Sequence, residues 1–150
     1  MPVSFEGWRT EILRLALDVP KKSMSVVVRK IALDSMRLII LRSPVGNPDL
    51  WKMPAPPGYV GGRFRANWFV SLGTINAQVE DVVDASGARS QARATMTIPA
   101  LAVDPFQIVY FHNSLHYAMK LESGWSTQAP NGVVYVVMDQ LQAVAGGIVV

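Results

Sequence analysis

The sequence predicts an α+β domain in which N-terminal helices pack on a small antiparallel sheet, with a short middle helix and a C-terminal helix. Three observations predict it. Apolar residues recur at three- and four-residue spacing in two N-terminal stretches. Strict apolar/polar alternation runs through "RFRANWFVSL", residues 63–72, and a β-branched apolar run, "FQIVYFHN", ends at Asn113. At 150 residues, the chain is one domain with a sizeable core by the usual length prior.

Each element has its own signals. Residues 4–18 read as a helix: Phe5, Trp8, Ile12 and Leu15 share one side, Ser4 caps the start and Pro20 forbids continuation. A longer helix is expected from about Ser23 to Leu41. Val27, Ile31 and Leu38 lie on its apolar side, and Lys30, Asp34 and Arg37 stand at ion-pair spacing. "RLIIL" near its end is apolar nearly all round and expects cover on more than one side; Pro44 stops it. Residues 43–61 are rich in proline and glycine and read as a long irregular loop, in which Leu50, Trp51, Met53 and Tyr59 need something to dock on.

In the expected strand over 63–72, Phe64, Ala66, Trp68, Val70 and Leu72 point one way, and Arg63, Arg65, Asn67 and Ser71 the other. "INAQVEDVV" reads as a second strand or an extension beyond Gly73. Residues 86–98 are Ala-rich enough for a short helix ending before Pro99. Residues 106–112 form the other strand of the sheet. Val134, Val137, Met138, Leu141 and Val144 fit a last helix, with Pro130 and Asn131 starting it.

Composition removes several classes. Half the residues are hydrophobic and 17% are charged, so the chain is globular rather than disordered. No run of eighteen apolar residues is present to span a membrane, and "MPVSFEGWRT" lacks the pattern of a secretory signal. The absence of cysteine removes disulfides and thiolate metal sites, and synthesis in the cytoplasm is expected. Net charge is +3 but unevenly placed. Through residue 65 there are eleven Lys/Arg against five Asp/Glu, and from residue 66 onward three against six. A basic half and an acidic half suit copies that stack head to side, besides the plain reading of a solvated helix face.

The stretch "LHYAMKLESGWSTQAPNG", residues 115–132, gathers the residues that could carry chemistry. His112 and His116 stand four apart with Glu122 downstream, but His112 ends a strand, so the pair does not share a helix and no metal or other cofactor is expected. Ser126, His116 and Glu122 are the residue types of a small serine hydrolase, although nothing resembles a nucleophile elbow. Arg63, Arg65 and Trp68 interleave basic and aromatic residues, yet alternation puts the tryptophan opposite the arginines. That leaves only nonspecific contact with nucleic acid.

Two stretches together resemble the tail-completion or neck (head-tail joining) proteins of long-tailed bacteriophages: "RSPVG…GGRFRANW" and "IVYFHNSLHYAMKLESGWSTQAPNGVV". The resemblance runs in order from about Ser43 to Val137. Gly62, Arg63, Arg65 and Trp68 stand at the family's Gly-Arg element. Tyr117, Ala118, Glu122 and Gly124 match its Tyr-Ala-x-x-x-Glu-x-Gly turn, and Ser126, Gln128, Ala129 and Pro130 its Gln-Ala-Pro signature. Members carry a short Asp-Thr-Gly where this chain inserts the loop from Gly46 to Gly61. The resemblance implies a structural virion protein forming a homo-oligomeric ring, commonly a hexamer. Its partners would be the connector on one side and tail tube or terminator proteins on the other, with DNA passing through. A tail-terminator or other connector ring is the neighbouring reading.

Within that frame, Trp51, Tyr59 and Trp125 are expected interface anchors, since aromatic side chains dominate binding hot spots. Glu122 and Gln128 are expected to fix a sharp turn by bonding backbone or an arginine, Arg63 or Arg65, and Gly124 to adopt a positive φ.

Overall fold

The computed structural model describes residues 24–146 together with Gly7 and Thr10. The helix expected over 4–18 lies outside the described residues except for Gly7 and Thr10, which are helical. The architecture is mixed α+β. Helix α1 spans Met24–Arg42, a 3-10 turn Pro48–Leu50, a single-turn helix α2 Arg63–Ala66, and strand β1 Phe69–Leu72. Helix α3, Ala88–Thr97, continues into a 3-10 segment, Ile98–Ala102. Strand β2, Val109–His112, the short helix α4, Ala118–Glu122, and helix α5, Val134–Gly146, complete the order.

Helix α1 is the centre of the molecule. It packs against the 3-10 segment Ile98–Ala102, α3 and α5. Cover from several sides is what the all-round apolar "RLIIL" demands, and Leu38, Ile39 and Ile40 are all buried. Lys30 and Asp34 form the expected ion pair at 2.9 Å. Met36, Ile98, Leu101, Val133 and Val137 fill the core between these elements, and each contributes roughly 2 kcal/mol through the apolar surface it removes from water.

The sheet has two antiparallel strands, with Phe69 opposite His112 and Leu72 opposite Val109. It is shorter than the sequence predicts, and residues 63–66 are a helical turn rather than strand. The reason is local. Gly62 sits at φ 113°, and its carbonyl accepts from Ala66 N–H at 2.9 Å. A Cβ at Gly62 would run into the backbone of Asp84 and Ala85, so only glycine fits. Phe64 and Trp68 lie four apart as well as on one side of an alternating pattern, so both periods bury them; their rings meet edge-on at 5.5 Å.

Residues 75–83, expected as a second strand or an extension, form no strand and make no ladder bonds among the described residues. Helix α5 begins at Val134, after Pro130 and Asn131 rather than at them. The α-helix expected over 86–98 is present, and β2 ends just before Asn113.

Candidate functional site

The turn after α4 is built around one carboxylate. Helix α4 closes with Ser123 N–H on Met119 O at 3.0 Å and Gly124 N–H on Leu121 O at 3.1 Å. Gly124 adopts φ 82°, as the sequence predicts, and a Cβ there would strike the carbonyl of Pro130. The chain then doubles back through Ser126–Ala129, with Ala129 N–H on Ser126 O at 2.9 Å, and returns past Glu122. Glu122 Oε2 accepts from Val133 N–H and Val134 N–H, each at 3.0 Å, and Oε1 accepts from Tyr135 N–H at 2.7 Å. Three amides at the start of α5 would otherwise lack intrahelical partners. A negative charge there also opposes the positive end of the helix dipole. Glu122 is therefore the N-terminal anchor of α5, and Val133 beside it is fully buried in the core.

Of the two alternatives expected for Glu122, backbone or an arginine, the structure has the backbone one, and neither Arg63 nor Arg65 reaches the carboxylate. Arg65 turns instead to the end of α1, donating to Ser43 O at 2.7 Å and to Ala85 O at 2.7 Å. Burial pushes the Arg65 pKa below its ordinary value, and the Asp84 charge opposes that shift. Arg63 stays at the surface, 3.5 Å from Asp81.

Gln128 does bond backbone. Its Nε2 donates to Val45 O at 2.9 Å and its Oε1 accepts from Val45 N–H at 3.1 Å, so the side-chain amide pairs with a peptide as a second strand would. A few ångströms along, Trp68 Nε1 donates to Ser43 Oγ at 2.7 Å, and Ser43 Oγ donates in turn to Ile39 O at 2.8 Å. The Ser-Pro-Val segment, the Gly-Arg element and the Gln-Ala-Pro signature thus meet on one hydrogen-bonded seam at the end of α1.

The three aromatic residues expected as anchors divide. Trp125 is 76% exposed, with the Lys120 ammonium 5.3 Å from its ring. Trp51 and Tyr59 pack on each other at 4.7 Å between centroids, which closes the proline loop on itself while each keeps a free face.

The hydrolase residues are otherwise engaged. Both carboxylate oxygens of Glu122 accept from α5, and Ser126 Oγ accepts from Gln128 N–H at 3.2 Å. His116 is exposed, edge-on to Tyr117 at 5.1 Å. Burial raises the Tyr117 pKa, with the Arg63 charge pulling the other way. His112 stacks on Phe69 at 5.7 Å with Nε2 3.4 Å from Ser71 Oγ, and desolvation lowers its pKa. Among the described residues no three His, Asp or Glu side chains gather into a metal site, and no helix is long and apolar enough to cross a membrane.

Several structural polar residues escaped sequence reasoning. Asn67, fully buried, donates to Arg63 O and Glu80 O and accepts from Glu80 N–H at 2.8 Å. Asn113 donates to Phe64 O at 2.9 Å. Arg93 donates to Ala66 O at 2.7 Å, pairs with Glu80, and lies 4.2 Å over the Phe69 ring. For Asn67 and Asn113 the only signal is polarity beside apolar runs, which marks a buried partner without naming it, and Arg93 in its Ala-rich helix carries none.

Comparisons of this chain with protein-family models, curated proteins and solved structures find no match.

Proposed function

We propose that this chain is a structural virion protein at the head-tail junction of a long-tailed bacteriophage, completing the tail and joining it to the connector as a homo-oligomeric, hexameric ring. The observation that carries the reading is the seam itself. The polar residues of the motifs shared with neck proteins are spent on backbone groups of distant segments: Glu122 on α5, Gln128 on Val45, Arg65 on Ser43. A catalytic set would aim its groups at a common reacting atom instead. Such a seam makes a stiff frame, and rigid frames lose little entropy when they dock. Exposed Trp125, Trp51 and Tyr59 offer aromatic anchors on that frame, and the basic and acidic halves offer complementary faces for repeated copies.

The test is mass by light scattering over a concentration series at two salt levels, followed by co-sedimentation with purified tails lacking a neck. A closed oligomer that loosens in high salt and binds tails is the expected result. A chain that never binds tails overturns the neck reading.

A further inference from the structure

Among the described residues the two-stranded sheet leaves the outer edge of β2 open, and the same chain carries an unpaired segment with the alternation of a strand. The ladder continues past β1, with Gly73 N–H donating to Ile108 O at 2.9 Å. Bonded and non-bonded pairs alternate in an antiparallel ladder, so Ser71/Tyr110 and Phe69/His112 exchange the bonds. The N–H and C=O groups of Val109 and Phe111 consequently point away from β1, and among the described residues no backbone group pairs with them. Phe106 and Ile108, just before this edge, are 81% and 62% exposed.

Residues 75–79, "INAQV", are the counterpart. Ile75, Ala77 and Val79 alternate with Asn76 and Gln78, and the two polar side chains meet at 3.4 Å as same-side neighbours do. All three apolar residues of the alternation are exposed, Ile75 at 58% and Val79 at 47%. Among the described residues, no backbone–backbone hydrogen bond involves 74–79. A half-apolar alternation left exposed among the described residues is the sequence pattern of a strand meant for a sheet.

It does not reach the open edge of its own sheet. Gly73 is tied to Ile108 at one end, and Asn67 grips both backbone groups of Glu80 at the other. These ties anchor the segment at both ends through residues that bracket β1, Asn67 before it and Gly73 after it, rather than at the outer edge of β2.

We propose that residues 75–79 of one copy add as a third strand to the outer edge of β2, Val109–His112, in a second copy. Strand and edge are different surfaces, so the contact repeats head to side, as a ring requires. A third strand also turns a marginal hairpin-sized sheet into a stable one. The inference deepens the ring reading above and rests on it only for closure.

Sedimentation of the full chain and three variants tests the pairing. Ala77→Pro breaks the donor strand, and Val109→Pro removes an outward amide while sparing the ladder bonds of Tyr110 and His112. The double variant I75D/V79D changes only exposed side chains and so keeps the fold. Wild type is expected at a multiple of the 16.4 kDa chain mass and every variant at the single-chain mass. An equimolar mixture of A77P and V109P is expected to give pairs and nothing larger, because only one productive edge remains. Hydrogen exchange is expected to slow at residues 75–79 as wild-type concentration rises, and not in I75D/V79D. A wild type monomeric at every concentration, or variants that assemble as it does, overturns the proposal. Assembly through another surface would leave the neck reading standing. A strand-paired oligomer that ignores tails would sink the neck reading alone.

Discussion

Glu122 holds three consecutive amides of α5, so its removal strands donors as well as losing a charge at the helix start. Replacing it with Ala is expected to lower stability by about 2–3 kcal/mol, the scale of hydrogen bonds to a charged group, and Gln to cost less. Urea midpoints read both; an E122A chain with unchanged melting and unchanged oligomer would sink the anchor role. Gly124→Ala is expected to cost about 1–2 kcal/mol for the left-handed backbone alone, with the Pro130 carbonyl adding to it. His112 supplies a pH dependence. Its folded pKa is depressed by burial, so its contribution is full above the ordinary histidine value near 6.5 and is lost as pH falls from there through the lower folded value. A melting series between about pH 7.5 and 5 is expected to slope downward for wild type and flatten in His112→Gln.

At the scale of elements, α3 depends on a residue outside it. Asp84 accepts from Gly87 N–H at 3.1 Å, Ser86 N–H at 2.9 Å and Arg89 N–H at 2.8 Å. The Arg89 amide first, then a further bond from the Ser86 hydroxyl and the remaining amides, hold its carboxyl below the usual range. The stabilisation is complete above the ordinary aspartate value and disappears as pH drops through the lower folded one. Asp84→Ala is expected to cost about 1 kcal/mol at neutral pH, as helix caps do, and to shrink the acid-side loss seen by denaturant titration. Helices α1 and α5 were legible from apolar periodicity, α3 from its alanines and Pro99, and β2 from its β-branched run and Asn113. The stretch 63–72 misled because Phe64 and Trp68 satisfy both periods; the helical turn was decided by Gly62 against Asp84 and by Asn67 reaching Glu80, partners far along the chain. The candidate site divides the same way. Gly124 and the backbone bonding of Gln128 were readable from residue type, whereas the partner of Glu122 depends on how the chain doubles back.

The whole molecule is a frame around α1 whose charge runs from basic to acidic along the sequence. If copies meet through those halves, raising salt should shift the light-scattering mass toward the single chain. His116→Ala, altering an exposed ring edge-on to Tyr117, is expected to leave assembly and tail binding at wild-type levels. Loss of tail binding in that variant would point to chemistry or contact at His116 that the frame does not require. Trp125→Ala is expected to weaken tail binding with little change in melting, since the side chain is mostly exposed.

The pairing of Gln128 with Val45 joins residues 83 apart. A ribosome makes the chain from its N-terminus, so the proline arm exists long before the glutamine that pins its base. Arg65 and Trp68 can fix Ser43 early, whereas Val45 has to wait for the side-chain amide of Gln128. Pinning of the arm's base by this amide thus waits on the synthesis of residue 128, well after the arm itself has been made.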